Sequence, residues 1–382
     1  MMGEAKPILP GATIGILGSG QLGRMLALAA REMGYRVHVY SPDSDTPAGQ
    51  VADLEVCGGY DEEGKIREFA SQVDVVTFEF ENVPSAASET AASVTPVRPN
   101  GSVLHITQQR LREKTTLKAK GFPVPGFAEV NTLEDLQQAA KELGIPAVLK
   151  TASFGYDGKG QQKVMPGDSL ETIFANLGGA QGIYEAFVDF EKEVSVVAGR
   201  NVQGDFRAFP VFENVHTNHI LDVTFSPADI NSRLAQQARE LAAGILEALD
   251  VVGVMAVEMF VTRDGGLLVN ELAPRTHNSG HLTIDGCVTS QFEQQVRAIC
   301  GLPLGSTELH APAAMANLLG DLWEDGEPDW SGALGDPLVK LHLYGKAEPR
   351  VGRKMGHLNV TGDTTADAAE RARVARSRLT QA

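Results

Sequence analysis

The chain is poor in cysteine and in positive charge, and both shortages narrow the classes of protein to which it can belong. Its 382 residues include only three cysteines, Cys57, Cys287 and Cys300, which are widely spaced and outside any Cys-x-x-Cys pattern. That spacing argues against a disulfide framework and favours a reducing, cytoplasmic setting. Lys and Arg number 33 against 49 Asp and Glu, a net charge of -16, so we expect no nucleic-acid partner.

Long apolar runs are also missing. No stretch approaches the ~20 apolar residues of a membrane span. Residues 1–7 lack the basic start and apolar core of a signal peptide. We therefore expect no membrane segment and no targeting segment. With 43% hydrophobic residues, the chain is long enough for two or three packed domains.

The order of the predicted elements indicates α/β domains. Predicted strands at Thr13–Leu17 and 36–40 flank a predicted helix at about 22–33, the alternation that is typical of a parallel α/β domain. The pattern changes near residue 105, before a predicted helix at 107–120, and again after Gly301. We predict three domains, at residues 1–106, 107–300 and 301–382.

Two acidic residues flank a predicted hairpin at 257–271. With Asp264-Gly265 as a two-residue turn, Glu258 lies directly opposite Glu271. A Gly265-Gly266 turn keeps both on one face, whereas a three-residue loop puts them on opposite faces. Two carboxylates ~5 Å apart repel by about 3 kcal/mol at an effective dielectric near 20, and Mg2+ would turn that repulsion into binding. A solvated hairpin is the alternative.

A glycine-rich segment, Gly18-Ser19-Gly20-Gln21-Leu22-Gly23, fits the dinucleotide fingerprint G-x-G-x-x-G between a strand and a helix. NAD binding also requires an acidic residue at the end of the second strand, but Tyr40-Ser41-Pro42 intervenes there before Asp43. Three interpretations remain open: a nicotinamide-dependent dehydrogenase, a phosphate- or substrate-contacting loop, and a structural turn.

A second glycine-rich segment, at 151–161, follows Lys150 at the end of an apolar strand. It is not a Walker A loop, because Gly160 stands where Ser or Thr must follow Gly-Lys. Its glycines fit either a loop that closes over a phosphate chain or a hairpin with a flexible tip. The lysine at the strand end favours a nucleotide.

Two further segments carry candidate binding groups. Glu185 to Val188 looks like a strand-to-loop crossing that could hold adenine, with Glu193 placed for ribose; a solvated charge cluster is the alternative.

Arg275, His277 and Asn278 follow closely after Glu271. Arginine can bind an oxyanion bidentately, histidine can move a proton near neutral pH, and asparagine can orient a carbonyl or amine. Lone histidines are usually structural, but these neighbours favour a site.

Taken together, these motifs resemble the ATP-grasp ligases, and more narrowly the 5-(carboxyamino)imidazole ribonucleotide synthases of purine biosynthesis. The resemblance lies in residues 15–25, 78–84, 155–161 and 270–281 and extends over nearly the whole chain. It implies an α/β fold with a Rossmann-like pre-ATP-grasp domain, an ATP-grasp domain and a small C-terminal domain. It also implies ATP and Mg2+ as cofactors, small-molecule substrates, a homodimer, and carboxylation of 5-aminoimidazole ribonucleotide by bicarbonate through carboxyphosphate.

The same resemblance implies residue roles by matching position. ATP would be bound by Arg110, Lys150, Gly155, Tyr156, Asp157, Gly158, Lys159, Gly160, Gln161, Glu185, Ala186, Phe187, Val188, Glu193, His216, Asn270 and Glu271. The imidazole ribonucleotide would be bound by Gly20, Gln21, Tyr156, Asp157, Arg275, Lys346 and Arg353. Glu258 and Glu271 would bind the metal, and Arg275, His277 and Asn278 would be catalytic. By charge alone the stretch 344–354 could be a solvated loop. The nearest rival is a formate-using ATP-grasp ligase, and the rival from another class is the dehydrogenase.

Overall fold

The structure, a computed structural model, describes residues 6–153 and 160–380. Its N-terminal part is a parallel sheet in the order β3-β2-β1-β4, with helices packed against it. The elements are β1 (Thr13–Leu17), α1 (Gln21–Glu32), β2 (Arg36–Ser41), β3 (Leu54–Cys57), α2 (Glu63–Ala70), β4 (Val75–Phe78), α3 (Ser85–Ala92) and α4 (Gly101–Thr107). Helices α1 and α2 return the chain to the same edge of the sheet, as parallel pairing requires, and a 3-10 turn, Gly49–Val51, lies in the connection from β2 to β3. The predicted alternation is confirmed.

The central part contains a small antiparallel sheet in the order β5-β8-β6-β7 and most of a large one. Its elements are α5 (Arg110–Ala119), β5 (Phe127–Val130), α6 (Leu133–Leu143), β6 (Ala147–Thr151), β7 (Gln161–Val164), α7 (Leu170–Ala175), β8 (Gly182–Ala186), β9 (Phe190–Arg200), β10 (Phe206–Ala208), β11 (Phe212–Thr217), β12 (Ile220–Ser226), α8 (Ser232–Ala248), β13 (Gly253–Thr262), β14 (Leu267–Ala273), α9 (Thr283–Gly286) and α10 (Gln291–Ile299). The helix expected at 107–120 begins only at Arg110, because Gln109 is extended and bridges Ser153.

The C-terminal part extends the large sheet. Its elements are β15 (Ala313–Leu319), α11 (Trp330–Ala333), β16 (Val339–Leu343), β17 (Lys354–Thr361) and α12 (Thr365–Ser377). The sheet runs in the order β14-β13-β9-β11-β12-β15-β17-β16, with β10 also paired to β9. One continuous set of hydrogen bonds thus joins the central strands to the C-terminal ones. The domain limits at 106 and 300 stay predictions.

The hairpin of β13 and β14 has a different turn from the one predicted, yet it keeps the predicted pairing. The Thr262 amide donates to the Gly266 carbonyl at 3.0 Å, so the loop has three residues, the last being Gly265 at φ 83°. That loop alone would separate the two glutamates. A β-bulge compensates: Met259 pairs with Val269, but Glu258 pairs with Glu271. The extra residue, Asn270, restores the shared face.

Across residues 6–153 and 160–380, no helix is both long enough and apolar enough to cross a bilayer.

Candidate active site

Glu258 and Glu271 form the acidic centre of the site. They are direct partners across β13 and β14. Burial, followed by repulsion from Glu271, raises the pKa of Glu258 from its ordinary value of 4.5 to about 7. His277 Nε2 lies 3.3 Å from Glu258 Oε1. Two carboxylates held together by the sheet, with Asn270 in the bulge beside them, provide the hard oxygen ligands that Mg2+ prefers.

Lys114 supports this acidic centre from α5, and the sequence analysis missed it. Its ammonium donates to the carbonyls of Val269 at 3.1 Å and Asn270 at 2.7 Å, the two residues at the bulge. The side chain is 1% exposed. Its pKa is lowered, chiefly by burial, although attraction to Glu185 acts in the opposite direction. The spacing Arg110, Glu113, Lys114 puts three charges on one helical face, a signal that was available in the sequence.

Glu113, the neighbour of Lys114, ties α5 to the other side of the bulge. Its Oε2 accepts from the Leu272 amide at 3.2 Å. Burial, with added repulsion from Glu271, raises its pKa well above the ordinary range. Together the two α5 side chains bind the backbone on both sides of Glu271, so they fix the strand segment that carries it.

The predicted phosphate-binding residues lie at the end of β6. Lys150 Nζ forms an ion pair with Glu185 Oε2 at 2.8 Å, so the side chain of Glu185 faces the predicted phosphate site. Arg110 reaches the same place, with its backbone amide bonded to Ala152 O at 2.8 Å and its Nη1 to Thr151 O at 3.3 Å. Lys150 also pairs with Gln161 across β6 and β7. The second glycine-rich segment therefore connects two paired strands. A hairpin tip and a loop that covers phosphates are both compatible with that connection.

The residues expected around adenine and ribose lie at the end of β8, in the β8–β9 connection, in β9 and in β11. The amides of Ala186 and Phe187 bond to backbone carbonyls, and the Phe187 ring is 42% exposed. Glu193 forms an ion pair with His216. Burial alone would lower the pKa of His216, but Glu193 raises it overall. Both residues line an open cleft of about 540 Å3, which indicates space for a ligand on this face.

In the first glycine-rich segment, residues 18–23, backbone amides bind a carboxylate of the same chain. Glu79, after β4, accepts from the amides of Gly20 at 2.5 Å and Gly23 at 2.8 Å. These are the amides that would hold a pyrophosphate in a dinucleotide-binding domain. A carboxylate at this helix start repels such an anion, so the geometry disfavours the dehydrogenase interpretation.

The positive charges of Arg275 and Lys346 lie near enough to Glu79 to act on it. Burial raises the pKa of Glu79, whereas attraction from nearby Arg275 and Lys346 partly opposes the rise. Arg275 also forms an ion pair with Glu81. The structure thus brings together Gly20, Arg275 and Lys346, three of the predicted substrate-binding residues. Glu79 and Glu81 were in a motif recognised from the sequence, but no role was predicted for them.

The two basic residues predicted to bind the substrate phosphate differ in their surroundings. Lys346 donates to Lys354 O at 2.6 Å and lies 5.6 Å from the Tyr344 ring centre. Arg353 donates to Glu348 O at 2.8 Å in the β16–β17 connection. The positive charge of Lys354 helps to lower the pKa of His277. Lys354 is therefore a further site neighbour that the sequence analysis missed.

His277 is held firmly at the start of a short 3-10 turn, Asn278–Gly280. The Gln291 side chain accepts from the His277 amide at 2.8 Å and donates to its carbonyl at 2.7 Å. Burial, and then the charge of Arg275, lowers the pKa of His277 well below its ordinary value, so the ring is neutral at neutral pH. Asn278 is paired amide to amide with Asn317, at 2.7 and 3.0 Å.

The family resemblance makes residues 155–161 of the second glycine-rich segment a lid over the nucleotide. Of these, Gly155, Tyr156, Asp157, Gly158 and Lys159 lie outside the described residues. Gly160 has φ +70°, and a Cβ there would meet Thr151 Oγ1 at 2.5 Å. The end of the segment therefore requires glycine. Gln21 begins α1 directly after Gly20, next to the Glu79 carboxylate.

The chain is similar to known proteins over most of its length. Three family models match in succession: a ribonucleotide synthetase preATP-grasp domain at residues 11–108, an ATP-grasp domain at 115–292, and a phosphoribosylaminoimidazole carboxylase C-terminal domain at 313–371. An N5-carboxyaminoimidazole ribonucleotide synthase of Bacillus subtilis is 46% identical over 351 residues, 92% of each chain. The chain belongs to the N5-carboxyaminoimidazole ribonucleotide synthase family. The fold class predicted from the sequence is confirmed.

Solved structures of this synthase family agree with the fold. An ADP complex of N5-carboxyaminoimidazole ribonucleotide synthetase is 44% identical, with a TM-score of 0.92 over 97% of this chain and 98% of that one. A synthase from Aspergillus clavatus, in complex with ADP and 5-aminoimidazole ribonucleotide, is 31% identical, with a TM-score of 0.88 over 97% and 99%. A dehydrogenase fold is therefore wrong for this chain, as the Glu79 contacts had already indicated.

Proposed function

We propose that this chain joins bicarbonate to the exocyclic amine of 5-aminoimidazole ribonucleotide, consuming ATP and releasing ADP and phosphate. The family supports the reaction, and one observation in the structure carries the proposal: Glu258 and Glu271 are paired in register beside His277. This places a metal-binding acidic pair next to polar groups suited to an oxyanion. Bicarbonate is a poor electrophile, and phosphorylation to carboxyphosphate installs a leaving group. The carbon dioxide that follows is captured by the amine.

Mg2+ fits the acidic centre. Among residues 6–153 and 160–380, no cluster of three or more His, Cys, Asp or Glu side chains could hold a metal by itself. Two carboxylates and the Asn270 amide would therefore hold the ion together with nucleotide phosphate oxygens, as is usual for Mg2+. When bound, Mg2+ neutralises charge on the transferring phosphate. The raised pKa of Glu258 supports this assignment, since a bound cation would relieve the repulsion that raises it.

The nucleotide would lie between the two antiparallel sheets. Lys150 and Arg110 would contact its phosphates, and the segment Gly155–Gln161, of which Gly155 to Lys159 lie outside the described residues, would cover them. Phe187 and Val188, with Glu185 and Ala186, would hold adenine. Glu193 would accept from ribose hydroxyls, with His216 beside it, because their ion pair borders the open cleft.

The imidazole ribonucleotide would lie on the opposite side of the acidic centre. Gly20, Gln21 and Arg275 lie around the Glu79 carboxylate, and Lys346 and Arg353 would bind the 5'-phosphate. Tyr156 and Asp157 would reach the same ligand from the lid. Arg275, His277 and Asn278, all half-buried, would hold the bicarbonate-derived oxyanion.

A homodimer and a cytoplasmic location complete the proposal, both as the family resemblance implies. Cys57, Cys287 and Cys300 are free thiols, which supports a reducing compartment. Sedimentation equilibrium tests the assembly: a mass of one chain at micromolar concentration would contradict the dimer.

The decisive experiment is ADP release measured with substrates omitted one at a time. We expect release to require ATP, Mg2+, bicarbonate and 5-aminoimidazole ribonucleotide together. Glu271→Gln should abolish it while the circular dichroism spectrum is unchanged, and Glu370→Gln, on the exposed face of α12, is the matched control. Release driven by formate and glycinamide ribonucleotide instead would point to the rival ligase, and retained turnover in Glu271→Gln would remove the metal assignment.

A further inference from the structure

A line of buried hydrogen bonds leads to His277 from the middle of the large sheet. Thr224 Oγ1 donates to Asn214 Oδ1 at 3.0 Å, and Asn214 Nδ2 donates to Ser195 Oγ at 3.1 Å. Ser195 Oγ in turn donates to Ser279 Oγ at 2.8 Å, and Ser279 Oγ lies 2.9 Å from His277 Nδ1. The four residues before the histidine are at most 6% exposed, so water does not compete for these bonds. We call them the polar line.

Both ends of the polar line impose the same direction on its protons. An amide nitrogen can only donate, so the Ser195 hydroxyl uses its own hydrogen toward Ser279, and the Ser279 hydroxyl uses its hydrogen toward His277. At the other end, the backbone N–H of Ser279 points at His277 Nδ1 at 3.3 Å, and this group can only donate as well. Nδ1 therefore accepts, and in a neutral imidazole the proton is then on Nε2.

The nitrogen that carries the proton faces the acidic centre. His277 Nε2 lies 3.3 Å from Glu258 Oε1. The sheet register explains why the polar line ends there: Ser195 is the partner of Glu258 across β9 and β13, and Glu258 is the partner of Glu271. The polar line and the acidic pair thus share one face of the sheet.

We propose that Ser279, Ser195 and Asn214 are positioning residues that hold His277 as the Nε2–H tautomer, so that it donates a hydrogen bond to the Glu258 carboxylate. This inference rests on the proposed function, since it gives His277 a definite part in the carboxylation site. In that tautomer Nε2 cannot accept a proton from a substrate. His277 instead orients Glu258, as outer partners orient ligating carboxylates elsewhere.

The test reverses the polar line without changing its shape. Asn214→Asp replaces the donor with an acceptor, so the Ser195 hydroxyl turns toward the carboxylate and Ser279 turns toward Ser195. Nδ1 then loses its hydroxyl donor. Thr224→Val acts from farther away, because it frees the Asn214 amide to turn over. Thr224→Ser keeps the hydroxyl and is the matched control.

Nitrogen-15 spectra of labelled histidine in the full-length, ligand-free protein report the tautomer directly. The His277 signals are identified by their loss in His277→Gln. We expect wild type and Thr224→Ser to have a protonated Nε2 and a bare Nδ1. In Asn214→Asp and Thr224→Val part of the population should shift to the Nδ1–H tautomer, because only the longer 3.3 Å contact from the Ser279 amide then favours a bare Nδ1. For these two variants kcat for ADP release should fall about 10-fold to 100-fold, while KM for ATP changes less than about 3-fold.

The outcomes separate this inference from the proposed function. If both variants keep the Nε2–H pattern and the wild-type kcat, the positioning role is wrong. If Asn214→Asp fails to fold, the Thr224→Val and Thr224→Ser pair decides the question alone. If the wild type does not release ADP with bicarbonate and 5-aminoimidazole ribonucleotide, the proposed function fails. A protonated Nδ1 in the wild type overturns the inference whatever the activity.

Discussion

Replacing Glu258 by glutamine should stabilise the ligand-free protein while abolishing its activity. Glu258 and Glu271 are cross-strand partners, whose Cβ atoms lie ~5 Å apart. At an effective dielectric of about 20, two charges at that distance repel by about 3 kcal/mol. Glutamine removes one charge but keeps an oxygen that accepts from His277 Nε2, so the neighbouring contact survives.

The raised pKa of Glu258 has burial as its first cause and repulsion from Glu271 as its second, and glutamine removes both costs of the charge. A rise from 4.5 to about 7 corresponds to about 3 kcal/mol at about 1.4 kcal/mol per unit. The folded state holds the Glu258 proton more tightly than the unfolded state does. The protonated side chain therefore stabilises the fold fully below about pH 4.5, and this contribution is lost as pH rises through about 7. The Glu258 side chain is 18% exposed and Glu271 is exposed, so solvent screens their repulsion. The attraction of Glu258 to His216 is lost as well, and we therefore expect a gain of about 1 kcal/mol near pH 8.

Urea unfolding followed by circular dichroism, in EDTA to remove divalent ions, tests this expectation. Near pH 8 the Glu258→Gln variant should have the larger free energy of unfolding, and the difference should shrink toward about pH 5, where the wild-type side chain is protonated. Glu370→Gln on the exposed face of α12 should show no such pH-dependent gain. If the free energy of unfolding of Glu258→Gln near pH 8 is equal to or lower than that of wild type, the electrostatic reasoning is refuted.

Three further substitutions address other parts of the site. Lys114→Met should lower the free energy of unfolding by about 3 kcal/mol, because two buried carbonyls lose a charged donor, and should weaken ADP binding in calorimetry. Lys120→Met, at an exposed lysine, is the control, and equal effects of the two substitutions would contradict the role of Lys114. Arg275→Lys loses the planar contact to Glu81, so ADP release should fall at least about 10-fold with ADP affinity kept; loss of ADP affinity instead would assign Arg275 to the nucleotide. Gly18→Ala should reduce the melting temperature, because Gly18 has φ +105° and its Cβ would meet Glu79 Cγ at 2.4 Å; an unchanged melting temperature would mean that the loop relaxes freely.

The sequence carried most of the chemistry of this site in short segments. Strand and helix periodicity identified β1, α1 and β2 within a residue or so of their bounds, since burial on a parallel sheet leaves a continuous apolar run. The cluster Arg275, His277, Asn278 after Glu271 could be recognised because these residues are neighbours along the chain. Patterns formed by residues close together in sequence can be recognised without knowledge of the tertiary structure.

Contacts between distant segments could not be derived in that way. Lys114 lies 155 residues before Val269, whose carbonyl it binds, and Glu79 lies 59 residues after Gly20. Neither pairing has a sequence period, because each depends on how helices and loops pack against a sheet. The same holds for the polar line, whose members come from β9, β11, β12 and the turn after β14.

The pairing of Glu258 with Glu271 shows where the limit lies. That two acids flank a hairpin follows from local sequence, because alternation along a strand sets which side chains share a face. The register depends on the folded protein: a three-residue loop shifts it by one, and the bulge at Asn270, bound by Lys114 from α5, shifts it back. A bulge is specified by what holds its backbone from outside the hairpin, and that support exists only in the folded chain.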